Sequence, residues 1–206
     1  MIRPALYLFA AFLAGSLPFG LWIGRLARGV DVRTQGSGNI GATNVLRVAG
    51  LGWGVLALLL DIAKGWAGVM LLPAAFGLEG VRSGGGWPVV GALCATGGHI
   101  FSPWVGFRGG KGVATFIGAA FALAPGPAAV AVAGFLATVG VWRYVSVGSI
   151  VMAGLFPLAA LILGPPALRT AIAAVGAGLA VLIAWRHRAN WVRLARGEEP
   201  RLGRAR

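Results

Sequence analysis

The chain has 206 residues, of which 58% are hydrophobic and 11% are charged. A water-soluble domain of this length carries about a quarter charged residues, so the composition excludes an ordinary soluble enzyme and indicates an integral membrane protein. The net charge of +13 does not indicate nucleic acid binding, because the basic residues collect mainly on one predicted face of a membrane bundle.

Apolar runs predict an all-α bundle of about seven transmembrane helices in a single membrane domain covering residues 1–206. A spanning helix needs about 20 apolar residues, and most of the runs approach that length. The predicted helices, in chain order, are 4–26, 51–73, 87–106, 112–124, 127–142, 146–163 and 168–186. Because the run at 112–124 is short, it is expected to be either a half-helix or a tilted span.

The distribution of basic residues orients this bundle. Cytoplasmic loops of membrane proteins carry an excess of Lys and Arg. With seven spans, one face holds only Arg3, Arg82 and Arg169, and the other face receives nearly all remaining basic residues and the C-terminal tail. We therefore expect the N-terminus outside and the C-terminus in the cytoplasm. The basic tail is expected to lie against anionic lipid headgroups.

The same arrangement of seven spans places four polar segments on the cytoplasmic face. They are RTQGSGNIGATNVLRVAG at 33–50, GGHIFSPWVGFRGGKGVAT at 97–115, WRYVSVGS at 142–149 and WRHRANWVRLARGEE at 185–199. A transporter of an organic phosphate, the main alternative, needs polar groups that reach both faces, and a structural protein would leave these segments unexplained. We therefore predict a membrane enzyme whose water-soluble substrate arrives from the cytoplasm.

The glycine-rich stretches GSGN and RGGKG favour phosphate binding. Without side chains, backbone N–H groups can converge on one anion. RGGKG leads into the helix predicted to begin near Val113, and a helix N-terminus attracts anions; Lys111 adds a full charge there. A tight turn with a lysine at the headgroups is the alternative. The stretch is not a P-loop, since Val105 replaces its first glycine and Gly112 its Ser or Thr.

Other polar side chains are candidates for direct roles. Arg47 can bind a phosphate through two guanidinium N–H groups, although a snorkelling arginine is the alternative. Ser37 lacks the G-x-S-x-G context of a nucleophile, so a hydroxyl contact to substrate is favoured over an acyl-enzyme. His187 and Asn190 are three residues apart and share one helix face, where they can orient a substrate oxygen.

The two histidines predict neither a metal site nor a His–Asp base. Two histidines without nearby carboxylates or thiols make a poor metal site, so no metal and no cofactor are expected. Neither histidine heads an H-x-x-x-x-D motif, because positions 104 and 192 are Trp and Val. Within the second predicted helix, Asp61 and Lys64 are spaced to form a mutually neutralising pair.

Over nearly its whole length the chain resembles the bacterial acyl-phosphate:glycerol-3-phosphate acyltransferase family, the PlsY proteins. GSGNIGATNVLR looks like the first family motif and GGHIFSPWVGFRGGKGVAT like the second. WRYVSVGS looks like the third, and RHRANWVRLARGEE like the C-terminal signature. DIAKG at 61–65 is similar to the pattern of the family's second helix. Four long matches in the right order make the resemblance specific.

The resemblance implies transfer of a fatty acyl group from acyl-phosphate, rather than from acyl-CoA or acyl-carrier protein, to glycerol 3-phosphate. The product would be 1-acyl-glycerol 3-phosphate (lysophosphatidic acid), an intermediate of phospholipid biosynthesis. The enzyme would lie in the bacterial inner membrane, among membrane lipids, with its active site toward the cytoplasm. The oligomeric state and the general base stay open, since either His187 or a substrate phosphate can serve as the base.

Carried over by motif, the functional residues fall into two sets. The expected catalytic residues are Ser37, Arg47, Lys111, His187 and Asn190. The expected substrate- and phosphate-binding residues are Gly36, Gly38, Asn39, Thr43, Asn44, Gly109, Gly110, Gly112 and Ser149. Two phosphates must be held at once, one on each substrate, and the sequence does not decide which segment holds which.

Overall fold

The structure, a computed structural model, describes residues 2–203. All regular secondary structure in this range is helical, which confirms the all-α part of the predicted fold class. The backbone forms two compact units, the first ending at Leu123 and the second beginning at Ala124. The single domain expected over 1–206 stays a prediction, and residues 204–206 of the basic tail lie outside the described residues.

The first unit contains the first two polar segments. Its helices are α1 (Ile2–Ser16), α2 (Phe19–Arg28), α3 (Ala42–Ala49), α4 (Leu51–Met70), α5 (Leu72–Ala75), α6 (Trp87–Ile100) and α7 (Val113–Leu123). Helix α4 is central, since it packs against α1, α2, α3, α6 and α7. The glycine-rich segments therefore border helices that share one apolar core.

The first predicted helix, 4–26, is two helices in the structure. Proline lacks a backbone N–H and fixes φ, and Pro18 accordingly separates α1 from α2. The break is tied to a later part of the chain. The Ser102 hydroxyl donates to the carbonyl of Ser16 at 2.6 Å, and the Trp104 indole N–H donates to the Ser16 hydroxyl at 2.8 Å.

Two other predicted boundaries are corrected. The helix predicted over 87–106 ends at Ile100, because Ser102 precedes Pro103 and adopts the extended backbone that a following proline requires. A short 3₁₀ turn at Pro103–Val105 follows it. The helix predicted over 51–73 ends at Met70 and is followed by the single-turn helix α5.

The second unit consists of the last four helices. They are α8 (Pro125–Trp142), α9 (Val145–Leu163), α10 (Arg169–Arg186) and α11 (Arg188–Ala195). Helix α9 packs against both α8 and α10. The predicted bounds of the three long helices differ from these by two residues at most, whereas α11 was not predicted because its sequence is polar.

Five helical segments of the described chain are long and apolar enough to cross a membrane. They are Ile2–Arg28, Leu51–Met70, Pro125–Trp142, Val145–Leu163 and Arg169–Arg186. Helix α7 is apolar but shorter, with 11 residues, and α6 has 14. The number of seven spans and the orientation of the termini therefore stay predictions.

Candidate active site

The polar segment between α2 and α3 is organised around the buried amide of Asn44. Its Oδ1 accepts a hydrogen bond from the N–H of Ser37 at 2.7 Å. Its Nδ2 lies within hydrogen-bonding distance of the carbonyls of Val32 (2.7 Å), Gln35 (3.1 Å) and Asn39 (2.8 Å). Because buried polar groups that are satisfied by backbone fix a conformation, Asn44 holds the loop shape. The amide that was expected to contact substrate is thus engaged by the loop itself.

Two glycines give this loop its turns. Gly36 and Gly38 have φ values of 59° and 69°, in the left-handed region that side chains disfavour. A Cβ on Gly36 would also overlap Oδ1 of Asn44. The result is a fixed loop that carries Ser37 at an exposed position.

Arg47 is presented by a short helix that the sequence did not predict. It lies in the last turn of α3, with its side chain exposed. Gly54 of α4 approaches α3 so closely that a Cβ there would lie 2.5 Å from the Cβ of Leu46. Before α3, the Oδ1 of Asn39 accepts from the N–H of Gly41 at 2.8 Å. Close packing and this turn together fix the direction in which α3 presents Arg47.

An acidic residue absent from the predicted site anchors the start of the loop. Asp31 forms an ion pair with Arg33 at 2.6 Å and a longer one with Arg25 at 3.5 Å. The hydrogen bonds from Arg33 hold the pKa of the Asp31 carboxyl well below its usual range. The carboxylate therefore stays ionised and neutralises part of the local positive charge.

The second glycine-rich segment packs onto the end of α6. The N–H of Gly109 donates to the carbonyl of Ile100 at 3.0 Å, and the N–H of Gly110 donates to that of His99 at 3.1 Å. A Cβ on Gly109 would overlap the His99 carbonyl oxygen, and one on Gly110 would overlap the imidazole Nε2. These glycines thus serve close packing, which corrects the expectation that their N–H groups converge on an anion.

Lys111 stands just before α7. It is half-buried and is separated from the first helical residue by Gly112, whose φ of 84° makes the turn. A Cβ on Gly112 would lie 2.8 Å from the side chain of Ile100. The turn brings a cation to a helix N-terminus, where unpaired N–H groups and the helix dipole favour an anion. This part of the predicted phosphate grip has suitable geometry.

In the second unit, His187 is buried where α10 gives way to α11. Its Nδ1 lies 2.8 Å from the carbonyl oxygen of Ile183. Because a carbonyl can only accept, Nδ1 carries the hydrogen, and the neutral ring has its lone pair on Nε2. That tautomer is suited to accept a proton from a substrate hydroxyl.

Glu199, to which Asn190 donates a hydrogen bond, is not among the predicted site residues. Glu199 Oε1 accepts from the Asn190 amide at 2.6 Å and from the Ser146 hydroxyl at 2.8 Å, and Oε2 accepts from Arg193 at 2.8 Å. Burial alone would raise the pKa of Glu199, but these three donors outweigh it, so the pKa lies below its ordinary value. The sequence feature that could have indicated Glu199 is its position as an acidic residue within a strongly basic tail.

The described end of the chain is fastened to the turn between α8 and α9. Leu202 and Arg143 exchange two hydrogen bonds, from the Leu202 N–H (2.7 Å) and from the Arg143 Nε (2.9 Å). The Arg201 guanidinium lies 5.2 Å from the ring centroid of Tyr144 and donates to its hydroxyl at 3.1 Å. Within this unit, the third and fourth polar segments are therefore held together.

The predicted site residues accordingly fall into two groups. Ser37, Arg47 and Lys111 belong to the first unit, and His187 and Asn190 to the second. The buried Ser149 hydroxyl donates to the carbonyl of Val145 at 2.8 Å within α9, and Thr43 lies half-buried in the first turn of α3. Within residues 2–203, no group of three or more His, Cys, Asp or Glu side chains is arranged to hold a metal ion.

Sequence comparison relates nearly the whole chain to one family. A family described as glycerol-3-phosphate acyltransferase matches residues 5–197. A relative of that name from Anaeromyxobacter sp. (strain K) is 46% identical over 198 residues, covering 96% of each chain. Another, from Jannaschia sp. (strain CCS1), is 43% identical over 194 residues, covering 94% of this chain and 90% of the relative.

Two crystal structures have the same fold. Both are of PlsY, described as an integral membrane glycerol 3-phosphate acyltransferase. The glycerol 3-phosphate form matches with a TM-score of 0.86 at 36% identity, covering 97% of this chain and 96% of that one. The lysophosphatidic acid form matches with a TM-score of 0.84 at 35% identity, covering 97% and 95%.

Proposed function

The chain belongs to the glycerol-3-phosphate acyltransferase family, and from this premise we propose that it transfers a fatty acyl group from acyl-phosphate to glycerol 3-phosphate. The product is 1-acyl-glycerol 3-phosphate, and inorganic phosphate leaves. The observation that carries the proposal is the whole-chain likeness to PlsY in a glycerol 3-phosphate form and a lysophosphatidic acid form, since these molecules are the acceptor and the product.

Two features favour acyl-phosphate as the donor. Acyl-phosphate is a mixed anhydride with a good leaving group, so positioning and charge stabilisation supply much of the catalysis. An acyl thioester is less activated, and the chain lacks the H-x-x-x-x-D base that would help a hydroxyl attack it. Coenzyme A would also require contacts for a large nucleotide, whereas the described residues are mainly helices of the kind that lie in a membrane.

In the proposed reaction, a glycerol hydroxyl oxygen attacks the acyl carbonyl carbon. A new ester C–O bond forms, and the bond from that carbon to the phosphate oxygen breaks. The hydroxyl proton goes to His187 Nε2, whose lone pair follows from the Nδ1 contact. Asn190, oriented by Glu199, is proposed to orient the acceptor.

Cationic and hydroxyl side chains hold the two phosphates in this proposal. Lys111 and the start of α7 bind one phosphate, and Arg47 with the fixed loop around Ser37 binds the other. The reaction takes place on the cytoplasmic side of a bacterial inner membrane, so that the acyl chain stays in lipid while glycerol 3-phosphate arrives from water.

The test supplies each donor separately to purified protein with glycerol 3-phosphate and follows lysophosphatidic acid. Turnover is expected with acyl-phosphate and not with acyl-CoA or acyl-carrier protein. Efficient turnover with a thioester donor alone would contradict the assigned donor. A trapped acyl ester on Ser37 would replace direct transfer by a two-step route.

A further inference from the structure

A buried ionic cluster lies within the first unit, apart from the residues assigned to substrate. Lys64 Nζ is 2.8 Å from Asp61 Oδ1, 2.9 Å from His99 Nδ1 and 2.7 Å from the carbonyl oxygen of Leu17. All three ionisable side chains of the cluster are at least 94% buried. Ionisable groups at membrane depth are costly and usually have a function.

The geometry fixes the hydrogen positions in this cluster. An ammonium has three donors and no acceptor; that of Lys64 donates to His99 Nδ1 and to the Leu17 carbonyl, and its 2.8 Å contact with Asp61 Oδ1 is an ion pair. His99 Nδ1 must therefore accept, which leaves the ring hydrogen of neutral His99 on Nε2. The carbonyl of Leu17 adjoins Pro18, so the break between α1 and α2 supplies one of the two hydrogen-bond acceptors of Lys64.

The other edge of the His99 ring faces the segment that carries Lys111. A Cβ on Gly110 would overlap the Nε2 atom of this ring. In addition, the backbone carbonyl of His99 accepts a hydrogen bond from the N–H of Gly110 at 3.1 Å. The residue thus contacts Gly110 through both side chain and backbone. The next residue along the chain is Lys111.

We propose that His99, held in place by Lys64 and Asp61, is a positioning residue that sets the backbone of Gly109–Lys111 and thereby aims the Lys111 ammonium at substrate phosphate. In this proposal the cluster acts through the backbone of Gly109–Lys111 and not through contact with substrate. This inference rests on the proposed phosphate role of Lys111. It explains why the chain retains a charged pair at membrane depth beside a histidine that the reaction does not use.

The first test is a double-mutant cycle of His99→Asn with Lys111→Ala. Asparagine keeps an oxygen near the Nδ1 position for Lys64 but removes the Nε2 edge that contacts Gly110. His99→Asn is expected to lower kcat/KM by about tenfold in the wild-type background and by less than about twofold in the Lys111→Ala background, because coupled residues are non-additive. Equal losses in both backgrounds would overturn the proposal.

The second test exploits the overlap at Gly110. Gly110→Ala places a methyl group where His99 Nε2 lies, so it is expected to lower kcat/KM by at least about tenfold. Combining it with His99→Asn removes the overlap, so the double variant should fall no lower than His99→Asn alone instead of losing the product of the two single effects. A double variant as poor as the product of the two single effects would show that His99 and Gly110 act independently, and that result would overturn the proposal.

The cycles also separate this inference from the proposed function. Near-normal turnover of Lys111→Ala would contradict the phosphate role of Lys111. The Gly110 cycle, read through the melting temperature in detergent, would then still decide whether His99 supports the segment. Recovery of the melting temperature in the double variant is expected, and additive losses would contradict the contact.

Discussion

Substitution of Lys111 tests the proposed phosphate-binding site most directly. Lys111→Ala should lower kcat/KM by about 30- to 1,000-fold, because losing a charge-assisted contact in a poorly hydrated site costs roughly 2–4 kcal/mol. Arg108→Ala is the matched control, since Arg108 is an exposed neighbouring cation and its loss should leave turnover nearly unchanged. Comparable activity of the two variants, at equal folded yield, would make Lys111 an ordinary headgroup lysine.

Substitutions of Asn44 should change the conformation of the loop, whereas Lys111→Ala removes a charge. Asn44→Ala leaves the N–H of Ser37 and the carbonyl of Val32 without their partner, at about 1–3 kcal/mol for a buried polar group. Asn44→Asp keeps the acceptor for Ser37 but turns a carboxylate oxygen toward carbonyl oxygens, so it should be no better than alanine. Both variants should lower the melting temperature as well as turnover; unchanged melting with lost turnover would instead indicate direct contact with substrate.

Glu199 gives the second unit a pH-dependent stability. Its pKa in the folded protein lies below the ordinary value, so its contribution is fully present above the unfolded pKa of about 4.3. That contribution is lost as the pH falls through the lower, folded pKa. As the pH is lowered from 5, the melting temperature should therefore fall less steeply for Glu199→Gln than for wild type. Parallel curves would contradict the ionised Glu199.

At the scale of elements, α4 and α7 approach each other through glycine. A Cβ on Gly65 would overlap the carbonyl oxygen of Thr115, and one on Gly118 would overlap that of Ile62. Gly65→Ala should therefore destabilise the protein by about 1–3 kcal/mol. Gly52→Ala, in the same helix but facing open space, should be neutral or slightly stabilising because alanine is the better helix former. Thermal melting of both purified variants checks this; equal melting temperatures would mean that the helices can separate without cost.

Hydropathy was a good guide to the long helices and a poor guide to the short ones. The lengths of α8, α9 and α10 follow from apolar runs, because a helix in lipid must be apolar along its whole length. Helices α3 and α11, eight residues each, escaped prediction because their sequences are mixed and depend on packing against neighbours. The end of α6 at Ile100 depended on the residues around Pro103 rather than on hydropathy.

In the candidate site, too, features that depend on local sequence were predicted and features that depend on distant contacts were not. Local sequence predicts the position of Lys111 just before α7, because a cation among glycines before an apolar run indicates a helix N-terminus; its phosphate role stays a prediction. Asn44 and Glu199 escaped correct assignment because their partners lie up to 12 and 53 residues away along the chain. Spacing in a single sequence carries no record of such contacts. For Gly110, sequence indicated the need for a glycine but not that His99 is the reason.

At the scale of the whole molecule, the charge bias predicts that the C-terminus is cytoplasmic. A reporter that is active only outside the inner membrane, fused to the C-terminus, should therefore give no signal. The same reporter placed in the loop at 83–86, on the predicted outer face, is the positive control. A strong signal from the C-terminal fusion would reverse the arrangement, including the cytoplasmic site.

The number of spans decides the side on which Lys111 lies. Helices α6 and α7 have 14 and 11 residues, or about 21 and 16 Å at 1.5 Å per residue, against a hydrocarbon core of about 30 Å. If only the five longer segments crossed, the termini would keep their sides, but the whole stretch between α4 and α8 would lie outside. Crossing by both short helices instead puts residues 101–112 in the cytoplasm, where glycerol 3-phosphate arrives.

Cysteine labelling distinguishes the two arrangements. In a Cys94→Ala background, which removes the single native thiol, Arg108→Cys and Ser83→Cys each introduce one exposed cysteine. A membrane-impermeant maleimide added to intact cells should label Ser83→Cys and spare Arg108→Cys until the inner membrane is opened. Labelling of Arg108→Cys in intact cells would place Lys111 outside with it, away from the cytoplasmic substrate, and would contradict both the seven spans and the proposed site of reaction.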